Sequence, residues 1–172
     1  MAITVQLRVV GIYYNRPITF EVEPGTTPTV FSVMKAARDQ FPISSPEGFD
    51  FVSTASTNPS MEVIRHNFSG SYDFDGNGVT TDPVDGPTLR GRSRSAGTYE
   101  LGEQAIRGGL VGWQYYVVRG NTVVSTTPAS RGFQSFAKFE VQDGDKVIWR
   151  LVAIATENTE ELSRYDRIAK KS

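Results

Sequence analysis

The chain has one histidine, His66, on an alternating run that also carries Glu62 four residues earlier. Alternation predicts that Glu62 and His66 share one strand face, with Arg65 on the other. An imidazole beside a carboxylate is a minimal acid–base pair, so a cyclase or isomerase using His66 with Glu62 is one functional reading. The ordinary alternative is a hydrogen-bonded strand histidine. There is no cysteine, which excludes thiolate nucleophiles, disulfides and cysteine-bound zinc. No Gly-x-Ser-x-Gly, His-Glu-x-x-His or Gly-x-x-x-x-Gly-Lys pattern occurs either. The expected function is therefore binding, with catalysis as the alternative.

Three further groups of residues could bind something. Asp73, Asp75 and Asn77 place oxygen ligands at alternate positions with Gly78 at the sixth, like the first half of a calcium loop. Position twelve is Val84, so Asp82 or Asp85 would have to complete the set, and Asp-Gly and Asn-Gly are also common turn formers. Calcium is thus a candidate ion, with a plain turn as the alternative. Arg90, Arg92 and Arg94 alternate and would share one side of an extended segment, where guanidiniums can grip phosphate or carboxylate. Tyr13, Tyr14, Trp113 and Tyr115 supply aromatic faces with polar tips, a pairing suited to half-buried binding sites. Tyr13 and Tyr14 fall in a turn region and are expected to be exposed. Trp149 belongs in the core.

These side chains need elements to position them. Ile3, Val5, Leu7 and Val9 alternate with polar residues, as do Ile18, Phe20 and Val22, and the two runs predict an antiparallel hairpin. Val30, Val33, Met34, Ala37 and Phe41 follow helical spacing. Thr27 is the expected N-cap, Pro28 the first helical residue and Pro42 the stop. Strand-like runs follow at 49–54, 61–67, 110–118, 122–126, 136–141 and 146–154. The last is apolar on both faces and belongs in the sheet centre. Residues 69–97 are rich in Gly, Pro, Asp, Ser and Arg and poor in core residues, the composition of a long loop insertion. The expected organisation is one domain over 1–156 and a charged tail over 157–172, which could form a short helix.

The segment from Val22 to Ala37 resembles the strand, Gly-Thr turn and helix that open many β-grasp domains. Gly112-Trp113-Gln114-Tyr115-Tyr116-Val117 and the later Gly144-Asp145-Lys146-Val147-Ile148-Trp149 resemble the end of the soluble-ligand-binding β-grasp group. The closest resemblance is to domains like the C-terminal domain of transcobalamin. It implies an α+β, mainly β fold: a β-grasp-like mixed sheet with one principal helix and a long loop insertion. It also implies ligand binding. Asp143 and Asp145 are read as turn-stabilising acceptors around Gly144.

Charge is nearly balanced, with 18 Lys plus Arg against 19 Asp plus Glu, so nucleic acid is not an expected partner. No apolar run approaches a membrane span and the N-terminus reads as a strand, so no membrane partner is expected and the cytoplasm is the default compartment. The expected ligand is a small molecule, a peptide or a protein. A structural or assembly role, with the aromatic patch and tail making a homo-oligomer, is the third reading.

Overall fold

The computed structural model describes residues 1–69, 96–102, 104–106, 109–125 and 134–155. The first two alternating runs form strands β1 (Ala2–Val9) and β2 (Tyr14–Glu21), paired antiparallel from Ala2↔Glu21 to Val9↔Tyr14. Their apolar set faces one way: Ile3, Val5, Leu7, Val9, Tyr14 and Ile18 are all buried. Helix α1 (Val30–Gln40) follows, burying Val30, Val33, Met34 and Ala37. It packs against β1, β2 and the next strand, β3 (Phe49–Ser53).

The helix starts two residues later than its sequence suggests. Thr29, not Thr27, is the N-cap, so Pro28 lies outside the helix. Thr29 Oγ1 accepts from the Ser32 amide at 3.3 Å and Ser32 Oγ accepts from the Thr29 amide at 3.2 Å. This reciprocal capping box satisfies two amide donors at the helix start. The Pro28 carbonyl is instead used by the Val141 amide at 3.0 Å.

The remaining strands are β4 (Met61–Phe68), β5 (Gly97–Gly102), β6 (Gln104–Ile106), β7 (Gly109–Arg119), β8 (Thr122–Val123) and β9 (Lys146–Ala155). They make two sheets. The larger runs β2-β1-β9-β7-β6, with β8 also on β7, and the smaller is an antiparallel β3-β4-β5. β9 lies parallel to β1 and antiparallel to β7, so the sheet is mixed and its centre is the strand whose two faces are both apolar. Val147 and Trp149 join the main core, and Ile148 is buried on the opposite face. The fold is α+β and mainly β, with a β-grasp-like mixed sheet and one principal helix.

The turn before β9 behaves as its residues suggest. Gly144 has φ +81, a conformation that suits glycine. Asp143 Oδ1 accepts from the Thr4 amide at 2.7 Å, and Asp145 Oδ2 accepts from the Gln142 amide at 2.8 Å. Asp145, 1 % exposed, is also clasped by Arg119 Nε at 2.9 Å and Nη2 at 2.8 Å.

One expected strand does not form. Residues 136–141 make a turn, closed by the Lys138 and Phe139 amides on the Ser135 carbonyl at 2.8 and 3.0 Å, and only Glu140 forms an isolated bridge, to Thr29. The apolar pattern there serves packing without pairing: Phe136 and Val141 are buried as single anchors. The return strand after Gly120 is also shorter than expected, with only Thr122 and Val123 pairing. Most of the expected insertion, residues 70–95, and the tail, 156–172, lie outside the described residues. Among the described residues no helix is long and apolar enough to cross a membrane.

The cap assignment gives a direct test. Thr29→Ala should cost about 1 kcal/mol in urea unfolding, whereas Thr27→Ala should leave the midpoint within experimental scatter.

Candidate functional site

His66 is the centre of the most elaborate polar arrangement among the described residues. It lies on β4 between Ile64 and Phe68, all three side chains buried. Its imidazole is fully enclosed and makes an edge contact with the Tyr14 ring, centroids 5.0 Å apart at 87°. Phe68 lies 5.9 Å away.

Each ring nitrogen faces an oxygen. Nδ1 is 2.6 Å from the Ile12 carbonyl, in the turn between β1 and β2. A carbonyl only accepts, so Nδ1 carries the proton. Nε2 is 3.1 Å from Glu47 Oε2. The same carboxylate meets the Arg16 guanidinium at 3.2 Å, and its other oxygen accepts from the Ser69 amide at 2.6 Å.

The carboxylate beside His66 is therefore Glu47 and not Glu62. A bulge in the pairing of β3 with β4 explains this. Val63 pairs with Val52 and Met61 with Ser53, so Glu62 is skipped. The extra residue breaks the alternation. Met61 takes the core position and Glu62 leaves the histidine's face. Arg65 does lie opposite, as alternation predicts. It sits in register between Asp50 and Glu100, ion-paired to Asp50 at 3.4 Å and to Glu100 more closely.

Glu47 lies in the loop between α1 and β3, in a Ser-Pro-Glu-Gly turn. Its backbone is left-handed, with φ 61. Gly48 beside it is required by close approach: a Cβ there would come within 2.3 Å of the Pro42 carbonyl. The loop is tied to the end of β4, since the Glu47 amide donates to the Asn67 carbonyl at 2.7 Å and the Asn67 amide to that of Gly48 at 2.9 Å.

Tyr13 is the other non-glycine residue with positive φ among the described residues, at 60. It immediately follows Ile12, so both left-handed residues adjoin the oxygens that face His66. Such conformations cost on the order of 1–3 kcal/mol and persist where surrounding contacts over-determine them. The half-buried Tyr13 ring meets Phe68 at 5.3 Å and the half-buried Tyr99 at 5.1 Å, making an aromatic patch directly above the histidine's end of β4.

The other expected binding residues are distributed differently. Tyr14 is fully buried, contrary to its expected exposure, because it is the first residue of β2 and turns inward onto Phe49 at 4.6 Å. Burial also raises its phenol well above the ordinary range. Trp113 and Tyr115 are 8 % and 1 % exposed, so they are core residues of β7 and offer almost no surface. The Tyr115 hydroxyl donates to the Gln134 carbonyl. Arg90, Arg92 and Arg94 lie outside the described residues, as do Asp73, Asp75, Asn77 and Asp82 of the calcium-like loop. Among the described residues no group of three or more His, Asp or Glu could hold a metal ion.

Sequence reading missed Glu47, Arg16, Phe68 and Tyr99. A Pro-Glu-Gly turn could have flagged Glu47 as a loop carboxylate, but no periodicity links it to His66. No protein-family model matches this chain, and a search of curated proteins finds no match.

The charges set a pH dependence. Burial pushes the His66 imidazole below its ordinary value and outweighs the opposing pull of the Ile12 carbonyl and the Glu47 carboxylate. Burial alone would raise the Glu47 carboxyl, but Ser69, Arg16 and His66 outweigh it and hold it below the ordinary carboxylate range. A depressed imidazole binds its proton more weakly folded than unfolded. Its contribution is complete above the unfolded value of about 6.5 and is lost as the pH falls below it. Glu47 acts in the same direction, through a lower window that ends at its depressed folded value. The urea midpoint should thus fall between pH 7.5 and 5.5, and His66→Gln should flatten that interval, because the chain has no other histidine.

Proposed function

We propose that the protein is a non-catalytic binding module whose recognition surface is formed by the half-buried rings of Tyr13 and Tyr99, backed from beneath by the buried Phe68. The observation that carries this reading is the left-handed backbone of Tyr13, which holds a half-exposed ring against two others. Backbone strain clusters at active sites, ligand clamps and switch regions. Rings of this kind suit a ligand with a planar or apolar group, whether a small molecule or a side chain of a peptide or protein. The resemblance to ligand-binding β-grasp domains points the same way, and the transcobalamin-like assignment belongs to this proposal. Catalysis by His66 is the weaker reading, since its imidazole is fully enclosed and a general base must come within hydrogen-bond reach of a substrate proton.

Native mass spectrometry of the purified protein tests the reading. A retained mass that unfolding removes is expected. Tyr13→Ala and Tyr99→Ala should each weaken its retention by about tenfold or more. Val52→Ser, at an exposed position of β3, should leave it unchanged. Equal retention in all variants would place the ligand elsewhere, and a bare chain throughout would eliminate a tightly held small molecule.

A further inference from the structure

The contacts of His66 add a second link between the β1–β2 hairpin and the loop between α1 and β3, already joined by the Arg16–Glu47 ion pair: one ring nitrogen meets the Ile12 carbonyl in the turn and the other meets Glu47. The geometry depends on protonation. With Nδ1 committed to Ile12, Nε2 makes a hydrogen bond to the Glu47 carboxylate only when it too bears a proton. Without that proton, a lone pair and a carboxylate oxygen face each other at 3.1 Å. Arg16 and the Ser69 amide also hold the carboxylate, at 3.2 and 2.6 Å, so its charge has partners besides the ring. Both segments also carry a left-handed residue, Tyr13 and Glu47, a conformation that persists where surrounding contacts hold it.

We propose that His66 is a proton-operated link between these two segments: the Nε2 proton draws Glu47 onto the ring, and its loss lets the 42–48 loop and the Ile12–Tyr13 turn relax. The charged and titratable groups facing the ring are Glu47 from the loop, Arg16 and Tyr14 from β2 and, next to it in register on β5, Tyr99. The Tyr14 phenol stays neutral throughout because burial raises it. Of these groups His66 is the one whose ordinary value lies between acid and neutral pH, and Glu47 is held below the ordinary carboxylate range. The inference stands whatever the Tyr13–Tyr99 patch binds.

Nuclear magnetic resonance of the full chain, following the His66 ring nitrogens and the backbone amides from pH 8 to 4.5, tests it. The Tyr13, Glu47 and Ser69 amides should shift with the midpoint of the ring, while Gly144 in the turn before β9 should not. Glu47→Gln, which keeps the size of the side chain, should lower the ring midpoint by about one unit and uncouple Ser69 from it. Amides that move independently of the ring would overturn the proposal. So would a ring that keeps one protonation state until the chain unfolds.

Discussion

The parallel pairing of β1 with β9 is the contact on which the rest of the architecture depends. Four residues of each strand, Gln6 to Val9 and Lys146 to Trp149, bring opposite ends of the chain side by side at the sheet centre. The turn before β9 is what aligns them. The Gly144 amide donates to the Thr4 carbonyl at 2.9 Å, Asp143 accepts from the Thr4 amide, and the Gln6 amide donates to the Asp145 carbonyl at 2.9 Å. A one-residue slip would turn every side chain of β9 to the other face, exchanging Trp149 with Ile148. The register places Val9 between Tyr14 and Trp149, and from there Tyr14 reaches His66. The polar network around the histidine thus stands on a row of core side chains that the central pairing holds in line.

How much of this was legible in the sequence depended on range. Strands with one buried face, such as β1 and β2, show clean alternation, and a strand apolar on both faces can be placed at the centre before any pairing is known. The helix was legible as periodicity, but its cap was not, because Thr27 and Thr29 offer the same chemistry and only the backbone path selects between them. Residues 136–141 show the converse: apolar residues spaced like a strand are used as separate anchors in a turn. Strands β5 and β6 went unread because Gly97, Gly102 and the surrounding polar residues look like loop, and they pair only because β4 and β7 present edges to them.

The candidate site was harder to read for a related reason. His66 was identifiable by its chemistry, yet its partners come from a turn carbonyl, a loop carboxylate and an arginine on a different sheet. Alternation pointed to Glu62, and one bulge was enough to invalidate that pairing. The aromatic residues whose types best suit recognition, Trp113 and Tyr115, are core residues of β7, whereas the half-buried Tyr99 lies among polar residues that look like loop. Ring type says nothing about exposure; strand position and face decide it.

The interior position of β1, between β2 and β9, has a consequence for synthesis. The β1–β2 hairpin is complete as soon as β2 has been made, but the other edge of β1 finds its partner only when residues 146–149 leave the ribosome. At ordinary elongation rates that interval is on the order of ten seconds. During it, Leu7 and Val9 border an unpaired row of amides and carbonyls, the template that recruits strands from other nascent chains. The outer edge of β2 is better guarded, since Pro17 offers no amide there and the Gln40 side chain donates to the Thr19 carbonyl at 2.8 Å. That edge is one the finished fold covers with β9, so crowding of nascent chains tests a surface that the mature molecule does not present.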